Sequence, residues 1–265
     1  MFFFLVGKIV VTIGVVLTLS LVAERVSPRV AGILSGYPLG AAIALFFIGL
    51  EISPEFAARS AVYTLAGLAA CQVFVYCYWA ASARFSRHSI LAASAAAMSG
   101  YFAAAWLLHL IPFSRTTAAL MAVPSILLFV FLFRGIPNKV IVRSVRFTLA
   151  VLLLRASLAA AIIVAITAAA QAVGPAWAGL FSAFPTALFP LMLIVHITYD
   201  KAHVHTIIKN FPLGLGSLVA YGMAVAFLYP AWGVGWGTLV AFGIATLYLL
   251  VYGAFVAHWL RPRRP

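Results

Sequence analysis

Val26-Ser-Pro-Arg-Val-Ala-Gly-Ile-Leu-Ser-Gly-Tyr-Pro38 occurs a second time, as Val173-Gly-Pro-Ala-Trp-Ala-Gly-Leu-Phe-Ser-Ala-Phe-Pro185. Six of the 13 positions are identical, at a constant offset of 147 residues and without a gap. The shared prolines, glycines and serines carry the match, because an apolar background supplies accidental Ala and Val pairs on its own. The reading is internal duplication. It extends outward: Gly67 pairs with Gly214, Tyr101 with Tyr248, Ser53 with Asp200, and Lys8 with Arg155.

The chain has 265 residues, of which 66% are hydrophobic and 8% charged. A water-soluble domain carries about 25% charged residues, so a soluble fold is excluded. The apolar runs reach the roughly 20 residues that a bilayer-spanning helix needs, and none alternates as the strands of a membrane barrel do. The expected fold is an all-α polytopic membrane protein. Nine spans are expected, at about 2–23, 31–51, 56–81, 89–111, 116–134, 147–171, 178–199, 203–229 and 236–259, which leaves no room for a separate soluble domain. The first 20 residues lack a basic n-region and a cleavage site, so no signal peptide is expected.

Spans one to four match spans six to nine, and span five stands between them. An odd number of crossings separates the copies, so the expected architecture is a 4+1+4 inverted-topology repeat with broken spans two and seven. The units are 1–112, a linker span within 113–140, and 141–265. Loop charges agree. With the N-terminus outside, thirteen Lys and Arg residues fall on the cytoplasmic side and only Arg59 and Arg115 on the outer side, as basic residues prefer. The net charge of +13 is explained by those loops, and no nucleic-acid surface is expected.

Ala178–Thr186, with the pattern Ala-Gly-Leu-x-x-x-Phe-Pro-Thr, and the following Leu193-Ile-Val-His196 resemble the GlpM-like family of small bacterial inner-membrane proteins. Members of that family resemble half of this chain. In the first copy the pattern is altered, with Leu39 and Gly49 in place of Thr186 and His196. The resemblance implies a cytoplasmic-membrane location and an association with envelope polysaccharide production, and supplies no substrate.

Pro38 and Pro185 each fall about eight residues into a span. A proline there removes a helical hydrogen bond, and freed backbone groups in a bilayer must be buried in protein or face a wet cavity. One such proline reads as an ordinary kink. Two related by a repeat, with Ser35, Tyr37, Ser182 and Thr186 alongside, read as a central substrate site. Pro190 is expected to add a second break in span seven. Lys8 and Arg155 lie roughly 10 Å inside their spans. Either they snorkel to the interface, or they line a cavity and draw in an anion. Glu51 is the acid placed to partner Lys8. With four acidic residues in the chain, a carboxylate-lined cation path is not expected.

His196 either relays protons or hydrogen-bonds a neighbouring helix, and the latter is the more ordinary role. His196, Asp200 and His203 align as metal ligands only on one continuous helix, and Asp200 reads as a helix cap that interrupts it. Cys71 and Cys77 read as free thiols within a span. No enzyme signature is present, and no cofactor, metal or catalytic residue is expected. The expectation is a secondary transporter or flippase for an anionic small molecule or lipid headgroup. Its substrate-binding residues would be Lys8, Arg155, Ser35, Tyr37, Pro38, Ser182, Pro185, Thr186 and His196. It would sit among membrane lipids with its C-terminus cytoplasmic, and a homo-oligomer is compatible with this. The alternative is a non-transporting assembly protein for envelope polysaccharide production.

Overall fold

The computed structural model describes residues 2–23, 28–139 and 149–259. They form nine helices and, among the described residues, no strand. The helices are α1 (Phe2–Ala23), α2 (Pro28–Ser35), α3 (Leu39–Glu51), α4 (Pro54–Arg84), α5 (Ser89–His109), α6 (Arg115–Phe133), α7 (Leu149–Ser182), α8 (Leu188–Thr198) and α9 (Lys201–Trp259). Six helical stretches are long and apolar enough to cross a membrane. Ser27 lies outside the described residues, and α2 is described from Pro28 onward.

Local chemistry fixes the other starts. The Ser53 side chain accepts from Phe56 N–H at 3.0 Å, and Pro54 occupies the first helical position of α4, where its missing N–H costs nothing. Asp200 does the same for α9, accepting from His203 N–H at 3.0 Å. Ser114 and Thr117 form a reciprocal capping box for α6. The helix boundaries recur at the sequence offset: Ser35 and Ser182, Glu51 and Thr198, and Pro54 and Lys201 are each 147 apart.

Two expected loops, 172–177 and 230–235, shrink to single pivots. Gly174 (φ 78°, ψ 170°) and Gly233 (φ 73°, ψ 173°) break α7 and α9. That backbone region is essentially restricted to glycine, so each helix turns at one residue and then resumes. Beyond Gly233 the chain doubles back: the Tyr229 and Thr238 hydroxyls meet at 2.7 Å, whereas nine residues of straight helix span about 13.5 Å. Each of α7 and α9 thus consists of two arms.

At the centre stands α4, with 78% of its apolar window buried against 22% for α5 and α6. It packs on α5, α6, the second arm of α7 and the first arm of α9. Small residues set the closest approaches. A Cβ on Gly32 would lie 2.6 Å from the Ile207 carbonyl oxygen, and one on Gly179 would fall on the Ser60 carbonyl. Likewise Gly36 packs on the backbone of Gly214, and Gly67 on Ala183. Both pairs of contacts interchange when 147 is added to one partner and subtracted from the other. Each copy of the opening motif therefore seats on the long helix of the other copy. The outward faces of α5, α6 and the second arm of α9 expose Trp106, Leu107, Leu127, Trp236, Leu247 and Leu250, an apolar surface suited to lipid.

Candidate functional site

The two motif copies end in the same turn. In the first, Gly36 N–H donates to Ile33 O (3.0 Å), Tyr37 N–H to Leu34 O (3.1 Å), Leu39 N–H to Tyr37 O (2.8 Å) and Ala42 N–H to Pro38 O (2.7 Å). In the second, Ala183 N–H donates to Leu180 O (3.1 Å), Phe184 N–H to Phe181 O (3.0 Å), Thr186 N–H to Phe184 O (2.7 Å) and Phe189 N–H to Pro185 O (2.9 Å). Each of these four bonds maps onto its counterpart at 147 residues; Ala183 N–H also donates to Gly179 O at 3.1 Å. The side chains follow suit: Ser35 donates to Ala31 O at 2.8 Å and Ser182 to Ala178 O at 2.7 Å. The prolines act as the sequence predicts. Neither can donate to the preceding turn, so one helix stops, a tight turn satisfies part of the backbone, and a second helix starts.

The two turns face one cavity of about 30 Å³, room for about one water. Six of the expected site residues line it: Ser35, Tyr37, Pro38, Ser182, Pro185 and Thr186. Ser182, Thr186 and both prolines are buried, and Ser35 and Tyr37 half-buried. Tyr37 turns its hydroxyl away, to Thr246 Oγ1 at 2.7 Å. Residues the sequence did not point to complete the wall, chiefly Gly40, Ala41, Cys71, Phe211 and Leu215. Gly40 is needed there because its Cα abuts the Thr186 hydroxyl, and a Cβ would collide with it. The glycine spacing Gly36-x-x-x-Gly40 is the signal that marks this approach.

The helices that leave the cavity, α3 and α8, both begin at it. The first four N–H groups of a helix lack an internal acceptor. In α3, Leu39 and Ala42 are satisfied by the turn, and Gly40 and Ala41 are the donors left over. In α8, Phe189 is satisfied by Pro185 O, and Leu188 is left over. The positive ends of two helix dipoles therefore converge on a cavity lined by hydroxyls and by no carboxylate. Pro190 makes no second break. It is the third residue of α8, in the first turn, where a proline removes no helical hydrogen bond.

Lys8 is elsewhere. Its ammonium donates to Glu51 Oε2 at 2.7 Å and to Thr167 Oγ1 at 2.8 Å, and stands 5.8 Å from the centre of the Phe47 ring. The Glu51 partnership is the one the sequence predicts. Lys8 is buried, so it does not snorkel; it ties α1 and α3 to the first arm of α7. The Arg155 side chain lies outside the described residues.

His196 also stands apart from the cavity, at the far end of α8. Its Nδ1 is 3.0 Å from the Tyr78 hydroxyl and its Nε2 3.1 Å from the Ser89 hydroxyl. One turn further along α4, Ser82 Oγ lies 2.8 Å from His205 Nε2. The single helix that a metal site at His196, Asp200 and His203 requires is absent: α8 ends at Thr198 and α9 begins at Lys201. Asp200 instead engages His203 through the backbone N–H and through Nδ1 at 2.7 Å. Partial burial pushes the Asp200 carboxyl up, but the hydrogen bonds from His203 and Ala202 outweigh it and hold it below the usual carboxylate range. Cys71 and Cys77 are free thiols.

Comparison with protein-family models, curated proteins and solved structures finds no match for this chain.

Proposed function

We propose that this protein is a secondary transporter or flippase for an anionic solute or lipid-phosphate headgroup, bound between the two broken helices. The observation that carries the reading is the convergence of the α3 and α8 N-termini on one cavity with Ser35, Ser182 and Thr186. Helix N-termini and hydroxyls are donors and take anions. Broken helices at equivalent positions of a duplicated chain are where transporters hold substrate. The Ser35 and Ser182 hydroxyls now turn back onto their own helices, and rotation about one bond would direct them inward. Thr186 Oγ1 makes no hydrogen bond among the described residues.

The duplication supports alternating access. Counting α2 with α3, the second arm of α7 with α8, and each other helix or arm once gives nine crossings. Five lie between residue 2 and residue 149, so the second copy enters the membrane inverted relative to the first. Loop charge then sets the N-terminus outside and the C-terminus in the cytoplasm, in a bacterial inner membrane. Motif contacts exchanged between copies allow one copy to rock against the other around the turns. The ion pair of Lys8 and Glu51 neutralises the charge that would have drawn an anion, so the donors of α3 and α8 take that role.

A second reading, a non-transporting assembly protein for envelope polysaccharide production, has one observation in its favour. A cavity of about 30 Å³ is nearly filled. The two readings separate in a stability experiment. Purified protein is heated with nitrate, sulfate, phosphate and short-chain lipid phosphates, beside a Ser182→Ala/Thr186→Val variant and a Lys8→Ala/Arg155→Ala variant. A ligand of the folded state raises stability by about 2.7 kcal/mol at a hundred times its dissociation constant. Transport predicts a rise with at least one anion that is lost in Ser182→Ala/Thr186→Val. No rise across the panel with well-folded protein would reject the anion site in favour of the assembly reading.

A further inference from the structure

We infer that His196 is a proton-binding site, and that α8 carries a proton at one end and the anion at the other. This rests on the transport reading above and assigns its coupling ion. The first support is the pair of partners. Both ring nitrogens meet hydroxyl groups, Tyr78 at 3.0 Å and Ser89 at 3.1 Å. A hydroxyl can donate or accept. A neutral imidazole keeps both bonds in either tautomer, and an imidazolium keeps both by donating twice. A carbonyl in either place would have fixed the neutral tautomer, and an N–H would have barred the protonated ring. These partners let the ring gain and lose a proton without stranding a buried polar atom.

The second support is position. His196 lies in the last turn of α8, where the negative end of the helix dipole favours a cation. The other end of the same helix starts at the cavity, whose wall includes Ala187, the residue before Leu188. Eight residues separate Leu188 from His196, about 12 Å at 1.5 Å per residue. An 11-residue helix therefore offers an anion its positive end and a proton its negative end, and a proton offsets one unit of the anion's charge. The third support is the company. His196 joins the second copy, through α8, to α4 and α5 of the first, so its protonation acts on the contact between copies. From α4 it faces Tyr78; from α9 Lys201 and His205 oppose a positive charge on the ring, and Asp200, between α8 and α9, favours one. Of the other two neighbours, α5 carries Tyr101 and His109, which turn to Leu180 and Trp177 of α7, and α7 carries no titratable residue from Ala156 to Ser182.

The test uses the full chain in sealed vesicles of phosphatidylcholine and phosphatidylglycerol with a trapped pH-sensitive dye. Inward gradients of nitrate, sulfate or phosphate are imposed, and anion and proton uptake are measured together. Wild type should move protons with the anion, and His196→Gln should lower the proton-to-anion ratio at least tenfold. An anion moved by wild type without protons, or a ratio unchanged in His196→Gln, overturns the coupling and leaves the transport reading standing. No movement of any of the three anions by wild type overturns both. If His196→Gln fails to fold, nitrogen-15 NMR of the wild-type histidine rings decides. Reversible titration of His196 between about pH 5 and 8 supports the assignment. A ring held in one neutral tautomer throughout overturns it.

Discussion

Replacing Gly32 or Gly179 by alanine tests whether the two motif copies are seated as described. At Gly32 the new Cβ would lie 2.6 Å from the Ile207 carbonyl oxygen, and ordinary contact begins at 3.4 Å. The difference, 3.4 less 2.6, requires α2 to withdraw from α9 by 0.8 Å, because a backbone carbonyl inside a helix cannot rotate aside. At Gly179 the overlap with the Ser60 carbonyl is greater, and the Tyr63 Cβ adds to it. Overpacking of this kind costs about 1–3 kcal/mol, while alanine gains about 1 kcal/mol over glycine in helix propensity. Gly243→Ala supplies the control, since no atom stands within 4 Å of its added Cβ and only the propensity gain remains. Detergent unfolding in mixed micelles, followed by tryptophan fluorescence, should place both motif variants about 1–3 kcal/mol below Gly243→Ala, with Gly179→Ala the lower. If either were as stable as Gly243→Ala, the exchange of motifs between the long helices would be wrong.

Lys8→Met should destabilise the fold by about 1–3 kcal/mol, the cost of stranding a part-buried charged acceptor, and Lys8→Met/Glu51→Gln should recover part of that. The same unfolding assay checks it, and a double variant no better than the single would show that Glu51 is not the partner that matters. Ser53→Ala and Asp200→Ala should each lose about 1 kcal/mol of capping, whereas Asp200→Asn should keep the cap, because asparagine caps as well, and lose at neutral pH only what the carboxylate charge adds. The folded Asp200 carboxyl is depressed, so its extra stability is present above the unfolded value of about 3.9 and is lost as pH falls through the lower folded value. The gap between wild type and Asp200→Asn should therefore close in acid; a gap independent of pH would contradict the His203 hydrogen bonds.

The duplicated motif already carried much of this structure. Proline, glycine and serine at fixed places demand a stop, a close approach and a restart whatever the neighbours are, so Pro38, Pro185, Ser35, Ser182 and the caps at Ser53 and Asp200 could be read directly. Glu51 could be matched to Lys8 because so few acids compete for it. The rest depended on distance through space. Nothing in the run around Tyr78 says that it meets a histidine 118 residues later. Cys71 is one of many apolar positions on α4 until the packing selects it for the cavity wall. Pro190 misled because the helix start was placed too early; a proline's effect depends on the turn it occupies. Gly174 and Gly233 were hidden in what passed for loops, since a positive φ leaves no trace in composition.

The long central helix has a history during synthesis. α4, long and apolar enough to cross a membrane, is made with α5 as its next neighbour, while two other main partners, α7 and α9, do not yet exist. The Thr64 hydroxyl donates to its own helix at Ser60 O and also to Gly179 O, 115 residues later, at 3.0 Å in both cases. At 5–20 residues per second the ribosome needs roughly 6–23 s to reach that glycine. Through this interval Thr64 is satisfied from within α4. Ser60 leaves the groove for Gly179 open until the second copy arrives to close it. The helix most buried in the finished protein is thus one that is closed over only when the second copy has been made.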